Sequence, residues 1–175
     1  MHRQIQIIKY TAFIAIFWLA LSACQQSGRE TVSSDSSTYH ASFNPLPLSL
    51  LNLDSTTFQL SGKNLRQPIV AVLFNPECDH CQRQADELAN NLDALKDVTV
   101  VMISSARLAE MKNFAQQHGM ADQPNIFFAY GNPVDVYTAF GSVPVPYTVL
   151  YSASHRKIRD FQGEFEVGEL VGSLR

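Results

Sequence analysis

Short unbroken apolar runs alternate along this chain with longer stretches in which apolar residues recur three and four positions apart. Ile69-Val70-Ala71-Val72-Leu73-Phe74 is a continuous apolar run, the pattern of a strand covered on both faces. Cys81, Ala85, Leu88, Ala89, Leu92 and Leu95 then fall on one stripe at helical spacing. Val98 to Ile103 predicts a second buried strand. A helix follows with apolar positions Leu108, Met111, Phe114 and Ala115, capped at its start by Ser104 or Ser105 and stopped at His118-Gly119. Ile126 to Ala129 reads as a short strand, and Val134 to Phe140 as a short helix or turn. Tyr147 to Tyr151 and Lys157 to Phe161 flank a polar turn, as in a hairpin, and a last helix runs from about Glu166 to Leu174. Upstream, Thr57 to Leu60 predicts an edge strand before a turn at Ser61 to Asn64. The order β-β-α-β-α-β-(α)-β-β-α implies an α/β fold: a central mixed β-sheet flanked by helices on both faces.

A different pattern occupies the first 45 residues. Arg3 and Lys9 precede an apolar segment, Tyr10 to Leu21, that is too short for a comfortable membrane span. Leu21-Ser22-Ala23-Cys24 resembles a bacterial lipobox, which implies a signal peptide over 1–23 and a lipid on Cys24. Residues 24–45 are rich in Ser, Thr, Gln and Asp, the composition of a flexible tether. Residues 46–175 are left as one domain, large enough to bury a core. The expected location is the cell envelope: a lipid anchor on the membrane surface, with the domain facing the periplasm. Gln25 after the lipid cysteine resembles the sorting signal of outer-membrane lipoproteins.

Charge narrows the partners. The chain carries 13 Lys+Arg against 16 Asp+Glu, a formal charge of −3, and loss of Arg3 and Lys9 with the signal takes it to about −5. It has no basic run, which argues against nucleic acid.

The candidate chemistry lies in Phe74-Asn75-Pro76-Glu77-Cys78-Asp79-His80-Cys81. Of three cysteines, Cys24 is assigned to lipid, which leaves Cys78 and Cys81 as the only pair. A Cys-x-x-Cys where a strand turns into a helix is the arrangement that thiol–disulfide exchange needs. Cys78 at the helix edge is the expected attacking thiol, favoured there as a thiolate, and Cys81 one turn in is the resolving thiol. His80 can stabilise the Cys78 thiolate, whereas Asp79 and Glu77 oppose it.

Together with Val143-Pro144-Val145-Pro146-Tyr147 before the later strand, these residues resemble the thioredoxin-like superfamily, in particular its membrane-tethered TlpA/ResA-type branch, over roughly residues 55–175. The resemblance implies a thioredoxin-like fold, here with an N-terminal β-hairpin extension, and a cis-proline facing the dithiol. Pro146 matches that proline and Pro144 competes with it. Val145, Pro146 and Tyr147 are then the substrate-facing residues, with Tyr147 at the rim. Histidine also occupies the position of His80 in oxidising members of the superfamily. Two departures bear on chemistry. No tryptophan precedes Cys78, and Val72 stands where thioredoxins bury an acid.

The implied function is an extracytoplasmic thiol–disulfide oxidoreductase without an organic cofactor. Its partners would be cysteine-containing client proteins and a membrane thiol–disulfide electron donor or acceptor, and the residues leave the direction of electron flow open. Three alternatives stand beside it. One is a thioredoxin-fold copper or zinc carrier using the thiols with His80, His118 or His155, although no four-ligand metal set is visible in the sequence. Another is a redox-inactive interaction domain with a structural disulfide; so small a loop would contribute only roughly 2 kcal/mol. The third is peroxide reduction, but peroxiredoxins place threonine where this chain has Asn75.

Overall fold

The computed structural model describes residues 42–174. The expected signal peptide, Cys24 and most of the tether lie outside these residues. The described residues begin inside the stretch read as tether, where β1 (Ser42–Phe43) pairs antiparallel with β3 (Leu60–Ser61). Asn44 then ties down the next turn through a hydrogen bond to the Leu48 carbonyl.

Six strands form the main sheet: β2 (Leu50–Asn52), β4 (Ile69–Leu73), β5 (Thr99–Ser104), β6 (Ile126–Gly131), β7 (Tyr147–Tyr151) and β8 (Lys157–Gln162). Their spatial order is β2-β6-β5-β4-β7-β8. β4, β5 and β6 run parallel, and β2, β7 and β8 pair antiparallel with their neighbours. The helices are α1 (Gly62–Leu65), α2 (Asp79–Asn90), α3 (Leu108–Gln117), α4 (Pro133–Phe140) and α5 (Val167–Gly172). The mixed sheet with helices on both faces is the expected architecture.

The unbroken apolar runs have a clear cause. Every residue of β4, β5 and β7 is buried. Successive side chains of a strand point to opposite faces, and both faces here are covered. Val70 and Val72 join one layer with Cys81, Ala85 and Leu88 of α2, Phe114 of α3 and Leu170 of α5. Ile69, Ala71 and Leu73 join the other with Val136 and Ala139 of α4 and with Leu46, Phe58 and Leu60 of the N-terminal segment.

Several boundaries differ from the sequence pattern. α2 ends at Asn90, although the apolar stripe continues to Leu95. The Asn91 side chain bonds to the Glu87 carbonyl at 2.8 Å and competes with further helix, while Leu95 is buried from the turns that follow. Neither serine caps α3. Ser105 Oγ is spent on the Gly131 carbonyl at 2.7 Å, and the Glu110 carboxylate instead accepts the Arg107 N–H at 3.2 Å. The expected stop at Gly119 holds, with φ +65° and the Met120 N–H returning to the Ala115 carbonyl. The turn at Ser61 to Asn64 is one helical turn, α1. β2 has no counterpart in the sequence reading.

Candidate active site

The strand-to-helix turn is built around Asn75. Its carbonyl accepts the Cys78 N–H at 3.0 Å, and its Oδ1 accepts the Glu77 N–H at 3.0 Å. Its own N–H points at Cys81 Sγ, 3.5 Å away. Gln82 Nε2 donates to the Pro76 carbonyl at 3.0 Å, closing the loop from the helix side. In the sequence, Asn75 stood out only as the residue in place of the peroxiredoxin threonine. The structure makes it the residue that brackets both cysteines.

Cys78 is the N-cap of α2: its φ/ψ of −90°/117° is extended, and its carbonyl accepts the first helical bond, from Gln82. It is half-buried, whereas Cys81 is 1 % exposed. Both are free thiols. Burial pushes the Cys81 thiol up to about 12, against the pull of the Asn75 N–H, and the neighbouring Cys78 and the Glu164 charge push it further. One accessible sulfur at a helix start and one buried, firmly protonated sulfur a turn later form an unequal pair.

Across from them, the Val145–Pro146 bond is cis. Cys78 Sγ lies 3.7 Å from the Val145 carbonyl. The Pro146 carbonyl is taken by the Gly163 N–H at 2.9 Å, so of these two carbonyls it is Val145's that faces the thiol. The Val145 N–H has no hydrogen-bond partner among the described residues. Tyr147 is not at the rim. It is 6 % exposed and donates its hydroxyl to Asp160 Oδ2 at 2.9 Å, because its position in β7 points into the layer that α4 covers.

Asp79 lies exposed in the first turn of α2. His80 is exposed too, and its Nδ1 bonds to Glu164 Oε1 at 2.6 Å; Cys78 Sγ makes no hydrogen bond to it. Arg83 bonds to the same carboxylate. Glu164 and Arg83 are site residues that sequence reasoning missed. They lie 81 positions apart, and no motif links them.

An open groove of about 480 Å³ lies along α4, bordered by Asn75 of the dithiol turn and Val145 of the cis-proline loop. Phe74, Asn75, Val136, Tyr137, Val143 and Val145 line it, and Tyr137 is 64 % exposed. The distant histidines have other partners. His118 Nδ1 is 2.6 Å from Asp86 and its ring packs on Phe114, and His155 Nε2 is 2.9 Å from the Leu65 carbonyl. Among the described residues, no group of three or more His, Cys, Asp or Glu side chains is placed to hold a metal ion.

A model of the AhpC/TSA family matches residues 45–169, which include the whole dithiol turn and the cis-proline loop. The chain belongs to the AhpC/TSA family. No curated protein matches it. Solved structures do. A secreted Mycobacterium tuberculosis disulfide oxidoreductase, described as homologous to Escherichia coli DsbE, is similar at 21 % identity with a TM-score of 0.59, covering 74 % of this chain and 96 % of the other. StoA from Bacillus subtilis is similar at 10 % identity and a TM-score of 0.56, over 75 % of this chain and 100 % of its own. Copper-bound ScoI from Arabidopsis thaliana is similar at 17 % identity and 0.54, over 72 % and 92 %. The AhpC/TSA chain therefore has the thioredoxin-like fold that its motifs imply.

Proposed function

We propose that this chain is an extracytoplasmic thiol–disulfide oxidoreductase that exchanges disulfides with client proteins through Cys78 and Cys81. One observation carries the reading: a half-buried Cys78 at the start of α2, backed by buried Cys81 and facing the Val145 carbonyl of a cis-proline loop at 3.7 Å. Its similarity to a secreted disulfide oxidoreductase supports both the chemistry and the compartment. The lipobox at Cys24 supports a lipid anchor on the envelope membrane, the outer membrane favoured by Gln25.

The chemistry follows from the inequality of the two sulfurs. Cys78 as thiolate attacks one sulfur of a client disulfide, the client S–S bond breaks, and the departing client thiolate takes a proton. Cys81 then attacks Cys78 Sγ, which breaks the mixed disulfide; its proton passes to the released second client thiolate, and Cys78–Cys81 is left oxidised. Run backwards, the same steps oxidise a client dithiol. The high pKa keeps Cys81 protonated in the free dithiol, so that Cys78 is the thiol that opens the exchange. Val145 offers a free N–H and a carbonyl to an extended client backbone, in the manner of strand pairing, and the groove along α4 accommodates the side chains. A membrane thiol–disulfide partner restores the starting state, and no organic cofactor is needed.

Titration of the purified full chain in detergent against glutathione buffers, with and without copper or zinc, tests the proposal. A two-electron transition supports it. Tight stoichiometric metal binding by the reduced pair would favour a metal carrier, the reading that similarity to copper-bound ScoI suggests. A disulfide that resists reduction until the fold is lost would point to an interaction domain.

A further inference from the structure

Thiol–disulfide exchange does not by itself call for the charged cluster beside the dithiol. Glu164, in the loop between β8 and α5, reaches the first turns of α2. Its Oε1 lies 2.6 Å from His80 Nδ1 and 2.8 Å from Arg83 Nη2, and Arg83 Nε lies 3.1 and 3.2 Å from the two oxygens. Arg83 Nη2 is also 2.8 Å from His80 Nδ1. A guanidinium only donates, so one nitrogen of His80 cannot both give a proton to Glu164 and accept one from Arg83. Arg83 first, and His80 after it, hold the Glu164 carboxyl below the usual carboxylate range. Glu164 is thus an anion, the Nδ1 proton points to it, and two donors converge on one oxygen.

This carboxylate is more than a loose surface pair, because its loop is fixed on both sides. The Gly163 N–H bonds to the Pro146 carbonyl. Buried Gln84 of α2 takes both backbone groups of Phe165, at 2.7 and 3.2 Å, and Glu87 accepts the Val167 N–H at 3.0 Å. The loop therefore bridges the cis-proline and the redox helix, and Glu164 is presented from it to the helix start.

We infer that Glu164 is a positioning residue that lowers the redox potential of the Cys78–Cys81 pair by competing with the Cys78 sulfur for the His80 ring N–H and the positive charge of Arg83. The inference rests on the thiol–disulfide reading. Two electrons break the S–S bond; Cys81 takes a proton, and Cys78 takes one or remains a thiolate. Any cation left free to face that thiolate stabilises the reduced form and makes the pair more oxidising. Glu164 ties up one such cation, Arg83, together with the His80 N–H, and the Asp79 carboxylate on the same helix turn acts in the same sense. The guanidinium and the accessible sulfur communicate across this distance: Cys78 is among the groups that raise the Arg83 pKa.

The experiment equilibrates the full chain and its Glu164→Gln variant with glutathione buffers at low salt. The expected result is an equilibrium displaced about tenfold toward the reduced dithiol, or about 30 mV more oxidising. In a His80→Gln, Arg83→Gln background the same substitution should displace it by less than about threefold, because the groups through which Glu164 acts are gone. No displacement in the wild-type background, or one of opposite sign, overturns the inference. A full displacement in the doubly substituted background also overturns it, because Glu164 would then act on the sulfurs directly. A wild-type chain with no two-electron transition would instead sink the thiol–disulfide reading itself. Unchanged thermal melts confirm that the variants keep the fold.

Discussion

Cys78 Sγ lies 3.7 Å from the carbonyl oxygen of Val145, a residue 67 positions later in the chain. That contact places the accessible sulfur at the edge where a client strand would pair, and leaves Cys81 behind it. The two thiols should therefore behave differently. A Cys81→Ser variant should accumulate mixed disulfides with clients, seen as bands lost on reduction in a non-reducing gel. Cys78→Ser should accumulate far fewer, and iodoacetamide at neutral pH should label Cys78 well before Cys81. Equal trapping by both variants would mean that the roles of the sulfurs are reversed.

Thr148 follows Tyr147 in β7 and is fully buried, and its hydroxyl has no hydrogen-bond partner among the described residues. It stands opposite Val72 on β4 and Phe161 on β8, both in the layer that holds Cys81. Directly opposed residues share a face, so the orphan hydroxyl faces the layer of the resolving thiol. An unsatisfied buried polar group costs about 1–3 kcal/mol. Thr148→Val, nearly the same shape, should stabilise the protein by about 1 kcal/mol and raise its melting temperature by a few degrees. Lower exchange activity in place of higher stability would show that the hydroxyl serves Cys81.

What could be read from the sequence was what repeats locally. β7 occupies Tyr147–Tyr151 as its apolar run predicts, and β4 and α4 fall within a residue or two of expectation. The dithiol, its helix and the facing cis-Pro146 were legible because each is carried by a few adjacent residues. Long-range pairing was not. β2 is three residues long and exists through its ladder with β6. Tyr147 was expected beside a bound peptide, yet residues 147, 149 and 151 of a doubly covered strand all turn into one layer. Glu164 reaches His80 only because the loop after β8 folds back on α2, a contact that no local pattern encodes.

Gly131, at the end of β6, needs the absence of a side chain for a packing reason. A Cβ there would sit 2.7 Å from Val136 Cγ2 of α4 and 3.3 Å from Ile103 Cγ2. Val136 is β-branched and stiff, so α4 itself would have to move. Gly131→Ala should destabilise the protein by about 1–3 kcal/mol in urea unfolding. Because α4 also lines the groove, exchange with protein clients should fall more than exchange with glutathione. An unchanged midpoint would show that the helix moves without cost.

Cys81 should also leave a mark on stability at alkaline pH. In the folded dithiol its thiol is pushed up to about 12 by burial, whereas in an unfolded chain a cysteine ionises near about 8.5. Below that pH both states keep the proton, and the group favours neither. Above it the unfolded state releases the proton while the folded state retains it, so stability must fall as pH rises through the window up to about 12. Each unit of separation between the two values is worth about 1.4 kcal/mol at full effect. Burial also pushes Tyr151 up to about 12 and raises Tyr147, so both add to the loss at the upper end of the same window. The Cys81 share is isolated by comparing urea midpoints of the reduced protein with those of Cys81→Ala at pH 8 and above. The variant should lose stability less steeply from about pH 9, and identical slopes would mean that the buried thiol ionises like an exposed one.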